Sequence, residues 1–332
     1  YPDGALVTID AGWQGNIFNI TNSTGTLNLT IEGITLQRGK ASAGNGGGIY
    51  VYGVYDTLCL NKVTMQNCSA ETVNGGAIDL LYGSATLCAQ SCTFKDNYTN
   101  RAGGFGWGNV NSKWYMTNCT FEGNKSTQNG GVGYQGIWYV NNCIFRNNWA
   151  TDGSGVGSYG TWNVSSSEFT NNRSNNGGVA QGGTWTASNC AFSNNRALSG
   201  GVANSGTWKA LNCTFTTNQA TYDGGVAINS NWNAIGCTFE GNKAMPGNYG
   251  GGVAFSTTLA ATNCAFINNV GKSGGVARGG TINTFYCSFK NNSANSSATN
   301  YGRGGVGSYV NWKAFNCTFE SNVASAEGGV DG

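Results

Sequence analysis

A repeated tripeptide, Cys-x-Phe, constrains the fold of this chain more than any other feature of its sequence. It occurs nine times, and Ser167 with Phe169 forms a tenth, variant copy. Two earlier pairs, Ile34/Leu36 and Val63/Met65, hold the same positions, so about twelve repeat units cover nearly the whole chain. Self-similarity of this kind is the signature of stacked repeat architectures. The last residue of each pair is called the anchor of its unit; the anchors are Leu36, Met65, Phe94, Phe121, Phe145, Phe169, Phe192, Phe215, Phe239, Phe266, Phe289 and Phe319.

Each unit continues in a constant way after its anchor. In the ten units anchored by Phe an Asn follows three residues later, a small residue comes two further on, and Gly-Gly with an apolar residue closes the pattern. In eight successive units the second Gly precedes the next Phe by 14 residues, whereas the distance from Phe to Gly varies. Register is therefore fixed on one side of the unit, and insertions are confined to one edge.

The apolar residues within a unit lie two apart, as expected for strands. Trp208 and Ala210 flank Lys209, and Thr214 precedes Phe215. This alternation is typical of β-strands, and the Gly pairs in every unit argue against helical repeats. The sequence predicts an all-β chain, a single parallel β-helix of about twelve coils joined at Gly and Asn corners. Stacked Trp, Phe and Cys columns are expected to face inward, although an outward Trp stripe would suit sugar binding. The Asn column is expected to form a hydrogen-bonded ladder at a corner.

The composition excludes several functions. The chain has no His, so general-base pairs with imidazole and the common mixed zinc sites are absent. A formal net charge of +2 gives no basic field for nucleic acid. No apolar run of about 18 residues is present, so membrane insertion is not expected. No cofactor and no metal ion are expected either.

The cysteines divide into two groups. Nine of the twelve belong to the Cys-x-Phe column and are expected to be buried, because Cys is among the most buried residue types. Cys59 and Cys88 both stand six residues before their anchors, so they should be adjacent and water-facing, and a disulfide between them is predicted. Such a bond would imply an oxidising compartment. Cys68 stands where later units have Asn, and no partner is assigned to it.

Glycosylation sequons support export. The chain begins at Tyr1 rather than Met, which favours a processed form. An extracellular or cell-surface location is therefore expected, with N-linked glycans on the outward positions. The Asn-x-Ser/Thr candidates are Asn19, Asn22, Asn28, Asn67, Asn97, Asn118, Asn124, Asn163, Asn172, Asn212, Asn291, Asn295 and Asn316.

The repeat resembles a known family. Phe192 to Ala197 followed by Gly200-Gly201-Val202-Ala203 is similar to the repeat of chlamydial polymorphic outer-membrane proteins. The segment from Leu29 to Leu36, then Gly47-Gly48-Ile49, looks like the first coils of right-handed pectin-lyase-like β-helices. The resemblance covers about residue 27 to the end. It implies a right-handed β-helix displayed outside the cell, used in adhesion or surface structure.

Catalysis is not expected. Pectin-lyase-like enzymes work through clustered Asp residues on adjacent coils, and the chain has only 15 carboxylates. Glu122, Glu240 and Glu320 share the position after their anchors but belong to coils that are not neighbours. We therefore interpret the chain as a non-enzyme, and a polysaccharide lyase or hydrolase is kept as the last alternative.

The ends of the chain suggest an assembly. Residues 1–26 are interpreted as a partial coil or docking segment, and residues 27–332 as the β-helix. Residues 320–332 stop within a unit without a capping pattern, so the last coil is expected to be bare. The residues assigned to assembly at the two ends are Leu6, Val7, Ile9, Phe319 and Val330.

Contact between unlike ends does not close on itself and makes a fibre. The leading hypothesis is a glycosylated extracellular filament subunit that binds identical chains head-to-tail. The alternative is a monomeric surface adhesin that binds an unknown surface ligand through its loop edge, with the inserts at 244–250 and 293–303 as contact surfaces.

Overall fold

The computed structural model describes residues 7–21, 26–41, 46–53, 56–81, 84–244, 250–295 and 304–325. These residues contain strands and no helix, and none of them forms a helix that could cross a membrane. The chain divides into two compact units, Tyr1–Ser167 and Glu168–Gly332. Each unit is a parallel β-solenoid, and together they contain about 11 turns. The predicted all-β parallel helix is confirmed, with about one turn fewer than expected.

Three sheets form the walls of each solenoid, and they are named here by the side chains that they send inward. In the first unit the Phe sheet contains Val7–Asp10, Ile34–Gln37, Thr64–Gln66, Thr93–Lys95, Thr120–Glu122 and Ile144–Arg146. The Trp sheet has two strands per turn: Phe18–Thr21, Asn28–Glu32, Ile49–Tyr52, Thr57–Asn61, Ile78–Leu80, Thr86–Gln90, Gly106–Gly108, Lys113–Thr117, Gly133–Tyr134, Ile137–Asn141, Gly157–Ser158 and Thr161–Ser165. The Ala sheet contains Lys40–Ala41, Ser69–Ala70, Tyr98–Thr99, Lys125–Ser126 and Trp149–Ala150.

The second unit repeats the same three sheets. Its Phe sheet contains Glu168–Thr170, Ala191–Ser193, Thr214–Thr216, Thr238–Glu240, Ala265–Ile267, Ser288–Lys290 and Thr318–Glu320. Its Trp sheet contains Ala180–Gln181, Thr184–Ser188, Ala203–Asn204, Thr207–Leu211, Ala227–Ile228, Asn231–Ile235, Ala254–Thr262, Ala277–Phe285, Gly307–Ser308 and Asn311–Phe315. Its Ala sheet contains Arg173–Ser174, Arg196–Ser199, Gln219–Asp223, Lys243–Ala244, Val270–Gly271, Ser293–Ala294 and Val323–Ala324.

Strands pair in parallel with matching residues side by side, so like side chains stack. Trp114 is the register partner of Trp138, and their rings lie 4.5 Å apart and 1° from parallel. Phe192 and Phe215 stack at 4.8 Å in the same way. These rings are fully buried, so the inward Trp column is confirmed. The column six residues before the anchor points outward, because successive residues of a strand face opposite sides of the sheet.

Two corners of every turn use the left-handed backbone conformation. In all twelve sequence repeats, the residue three before the anchor has a positive φ, and so does the residue two after it. Asn occupies many of these positions because its short polar side chain tolerates this region better than most residues. The Asn content that creates so many sequons is thus partly a requirement of the corners.

The Gly-Gly pair permits close approach of successive coils. Gly130 has a φ of +65°, and a Cβ built on Gly131 would lie 2.2 Å from the carbonyl oxygen of Gly155 in the next coil. No side chain fits at that separation. The pair is therefore a packing requirement and not a phosphate cradle.

The Asn ladder follows the second corner. In the second unit, Asn218 Nδ2 donates to Asn242 Oδ1 at 3.0 Å, and Asn242 Nδ2 donates to Asn269 Oδ1 at 3.0 Å. Each Oδ1 also accepts a backbone N–H, as Asn242 Oδ1 does from Asn218. Each Nδ2 reaches a Phe carbonyl, as Asn242 does at Phe215. These buried amides satisfy the backbone groups that the corner leaves without a partner in its own strand.

Candidate functional site

The first described strand lies at one edge of the Phe sheet. Val7–Asp10 pairs with Ile34–Gln37 and has no second partner among the described residues. Val7 and Ile9 are 37% and 38% exposed. Ile9 is the register partner of Leu36 and so belongs to the anchor column. The N-terminal edge, defined as strand Val7–Asp10, therefore presents one apolar residue of that column to solvent.

Residues 311–324, the C-terminal edge, expose side chains that other coils bury. Phe319 is 38% exposed, whereas the preceding anchor, Phe289, is buried. Val323 is 58% exposed, and Trp312 is only half-buried, unlike Trp208. Within the described chain, strand Thr318–Glu320 pairs only with Ser288–Lys290. The two remaining residues predicted to act in assembly, Leu6 and Val330, lie outside the described residues.

Most sequons occupy outward positions. The exposed candidates are Asn19, Asn28, Asn67, Asn118, Asn212, Asn291, Asn295 and Asn316. Asn163 is half-buried in strand Thr161–Ser165, and Asn22 lies outside the described residues. The exposed positions have room for a glycan in the folded protein, and their occupancy stays a prediction.

Three sequons belong to the Asn ladder. Asn97, Asn124 and Asn172 are fully buried. Asn97 Nδ2 donates to Asn124 Oδ1 at 2.9 Å and to the Met65 carbonyl at 3.2 Å, which uses both of its protons. A glycan would replace one of these protons and occupy space already filled by the core. The fold therefore leaves no room for a glycan at these three positions.

Cys59 and Cys88 are brought together as expected. They are register partners on adjacent strands of the Trp sheet, and both are half-buried and present as free thiols. Burial, with the neighbouring Cys59 thiol, raises the pKa of Cys88 to about 11. The predicted disulfide is not present in the structure, but the register places its two residues side by side.

The cysteine column has a role that the sequence did not reveal. Eight of its nine thiols are buried, as predicted, and Cys317 is half-buried, but each also lies beside a left-handed corner. The Cys119 N–H donates to Cys143 Sγ at 3.3 Å, and the Cys264 N–H donates to Cys287 Sγ at 3.4 Å. The column is therefore a second ladder of side-chain acceptors. Cys68 sits at the start of the Asn ladder, where its N–H donates to Asn97 Oδ1 at 3.0 Å.

Four of the described carboxylates form ion pairs between neighbouring coils. Glu122 pairs with Arg146 at 2.8 Å, and Glu320 pairs with Lys290 at 3.0 Å. Asp10 pairs with Arg38, whose guanidinium, together with Gln37 and the Gly12 N–H, lowers the pKa of Asp10. The described residues contain no group of three His, Cys, Asp or Glu side chains placed to hold a metal ion.

Asp79 makes neither an ion pair nor a side-chain hydrogen bond among the described residues. Its side chain is fully buried in strand Ile78–Leu80, and neither carboxyl oxygen has a hydrogen-bond partner. Burial raises its pKa well above the usual value, because a low-dielectric environment disfavours the charged form. A lone acid without a second carboxylate or a bound group does not make a catalytic pair.

The comparison with protein families matches one short segment of the first compact unit. Residues 118–135 match the Chlamydia polymorphic membrane protein repeat. This segment runs from Asn118 through the Phe121 strand and Asn124 to Gly130-Gly131. The expected resemblance is confirmed, and the chain is a β-helical repeat protein with a repeat of this type.

The comparisons with curated proteins and with solved structures assign no function to the chain. No curated protein matches the chain. Among solved structures, a complex of alginate lyase AlyF-OU02 with G6 is similar, with a TM-score of 0.40 and 13% sequence identity. The similarity covers 95% of this chain and 83% of the lyase chain. No function is inferred from a likeness at this level.

Proposed function

We propose that the chain is a structural subunit of an extracellular glycosylated filament, assembled head-to-tail through the two open edges. The observation that carries this proposal is the exposure of anchor-column residues at both edges. Ile9 lies in that column at the N-terminal edge and Phe319 at the C-terminal edge. In a head-to-tail contact between two copies, Ile9 of one chain would stack on Phe319 of the other.

The energetic basis is the same as within one solenoid. An open strand edge offers unpaired N–H and C=O groups, and a parallel strand from another chain satisfies them. Burial of the exposed apolar side chains adds about 25 cal/mol for each Å² removed from water. Such a contact joins unlike surfaces and repeats without closing, which makes a fibre.

The location is part of the proposal. The matched repeat belongs to a family of membrane proteins by its description, which supports a place at the cell surface. Eight exposed sequons support an exported, glycosylated chain. No enzymatic activity is assigned, because Asp10, Glu71, Glu122 and Glu320 are held in ion pairs and Asp79 is buried alone. Cleavage of pectic or related polysaccharides that one Asp substitution abolishes would overturn this assignment.

Electron micrographs and sedimentation of the purified full chain test the filament. Wild-type protein should form long fibres, and Phe319→Asp should prevent them because a charge would be buried at the contact. Leu211→Asp is the matched control, since Leu211 is 40% exposed on the outer face of the Trp sheet and should leave fibres intact. Adding Ile9→Lys to Phe319→Asp should restore them. Wild-type chains that stay monomeric at high concentration would overturn the filament.

A second candidate function is the monomeric surface adhesin. A cleft of about 420 Å³ in the first unit is lined by Val110, Tyr134, Gln135, Tyr159 and Thr161, among others. The Tyr134 and Tyr159 rings meet edge to face at 5.8 Å, which gives an amphipathic surface for a ligand. Residues 245–249 and 296–303 of the predicted contact inserts lie outside the described residues. Isolated monomers that bind a surface glycan, and lose binding on Tyr159→Ala, would favour this function.

A further inference from the structure

A pair of stacked tyrosines lies on the outer face of the Trp sheet in the first unit. Tyr115 and Tyr139 are register partners on adjacent coils, and their rings lie 4.8 Å apart and 8° from parallel. Each is 39% exposed, although Trp138 and Val140, which flank Tyr139 in its strand, are buried. The tyrosines therefore form an aromatic surface that the core does not use.

The next residue in this outward column begins a sequon. Asn163 is the register partner of Tyr139, and Asn163-Val164-Ser165 is an Asn-x-Ser sequence. Ser165 Oγ donates to Asn141 Oδ1 at 2.9 Å, which ties the end of the sequon to the coil of Tyr139. On three consecutive coils, this outward column therefore consists of Tyr115, Tyr139 and Asn163.

The stacking geometry determines where a group on Asn163 would lie. Tyr115 covers one face of the Tyr139 ring, so the opposite face is directed toward the coil of Asn163. Neighbouring strands are about 4.8 Å apart, which matches the spacing of stacked rings. A ring attached at Asn163 Nδ2 can therefore continue the stack with little change in the backbone.

We propose that Asn163 carries an N-linked glycan whose first pyranose ring packs on Tyr139. The C–H groups on one face of the sugar are weakly positive and the face of the Tyr ring is weakly negative, so the two attract each other as apolar area is buried. This proposal rests on the glycosylation in the proposed function and does not depend on filament assembly.

Attachment follows the usual group transfer from a lipid-linked diphosphate donor. The bond between the anomeric carbon and the diphosphate oxygen breaks, and a bond from that carbon to Asn163 Nδ2 forms. One amide proton is released, and the lipid diphosphate leaves. The transfer occurs on the unfolded chain, so the half-buried position of Asn163 restricts the sugar only after folding.

The experiment uses the full chain secreted by a glycosylating eukaryotic cell fed with ¹³C-labelled sugar. Glycopeptide mapping should show Asn163 occupied. The ring protons of its first sugar should appear upfield in NMR spectra, because they lie over an aromatic face. Tyr139→Ala should abolish this shift, whereas Tyr139→Phe should retain it, since the ring is kept. Tyr222→Ala, which removes a Tyr of equal exposure in the second unit, should leave the shift unchanged.

Two results would overturn the proposal: an unoccupied Asn163 in a chain glycosylated at other sequons, or sugar shifts that Tyr139→Ala leaves unchanged. Neither result affects the filament. Conversely, monomeric chains with a shifted sugar at Asn163 would overturn the filament and support the glycan contact.

Discussion

The backbone N–H of Cys143 donates to Ser167 Oγ at 3.0 Å. Ser167 is the exception in the Cys-x-Phe column, and Ser167 Oγ itself donates to the Ser165 carbonyl at 2.7 Å. Cys119 and Cys143 make the corresponding contact through sulfur, at 3.3 Å. The column therefore selects a small side chain that accepts a hydrogen bond beside a left-handed corner. Serine satisfies this requirement as well as cysteine does.

Substitutions at Cys264 test this requirement. Cys264 Sγ accepts the Cys237 N–H, so Cys264→Ala should leave a buried donor unsatisfied and lower the free energy of unfolding by about 1–3 kcal/mol. Cys264→Ser should cost less, because the hydroxyl replaces the acceptor. Cys264→Val restores the volume but not the acceptor, so it should resemble Ala. Urea unfolding of the three variants measures the order, and equal stability of Ser and Val would contradict this reading.

Removal of one side-chain amide from the Asn ladder should lower the free energy of unfolding more than the Cys264 substitutions do. Asn242→Ala leaves the Asn218 N–H, the Asn218 side-chain amide and the Phe215 carbonyl without their buried partner. We expect a loss of about 3 kcal/mol or more in the free energy of unfolding. Asn233→Ala, at an exposed position of the neighbouring Trp strand, is the control and should have little effect. Chemical denaturation compares the two variants.

The buried carboxyl of Asp79 should make stability depend on pH. Its folded pKa is raised, so the folded protein keeps this proton when the unfolded chain, with a pKa near 3.8, has lost it. Stability should therefore fall as pH rises above about 4, by up to about 1.4 kcal/mol for each unit until the folded pKa is reached. Asp79→Asn removes this dependence. The free energy of unfolding of the Asp79→Asn variant, relative to that of wild type, should rise between pH 4 and 7. A constant difference between the two proteins across that range would show that Asp79 ionises freely.

A disulfide between Cys59 and Cys88 is expected in material from an oxidising compartment. The high pKa of Cys88 makes its thiolate scarce at neutral pH, so spontaneous oxidation should be slow without a catalyst. Peptide mapping without reduction should find these two residues linked and buried Cys68 free. The link should add about 3–4 kcal/mol, as expected for closing a loop of this size. Finding both thiols free in secreted protein would contradict the assignment.

Much of the fold could be predicted because the residues of each column recur at corresponding positions of successive repeats in the sequence. The inward Trp208 and outward Lys209 follow from strand alternation, and the fixed spacing from Gly to Phe predicts in-register stacking. The candidate sites were harder to predict from the sequence. A sequon marks Asn124 and Asn212 alike, yet one is fully buried in a ladder and the other exposed at a corner.

The sequence by itself determined the period, the parallel stacking and the residue types of the core, because a repeated pattern of side chains and Gly-Gly corners is satisfied by one coil geometry. Only the tertiary structure decided which surfaces are open. The placement of Tyr139 beside Asn163, the exposure of Ile9 and Phe319, and the acceptor role of the cysteines depend on contacts between residues that are a full turn apart in the chain. Those contacts depend on how each coil is aligned with the next, and the sequence of a single repeat does not specify this alignment.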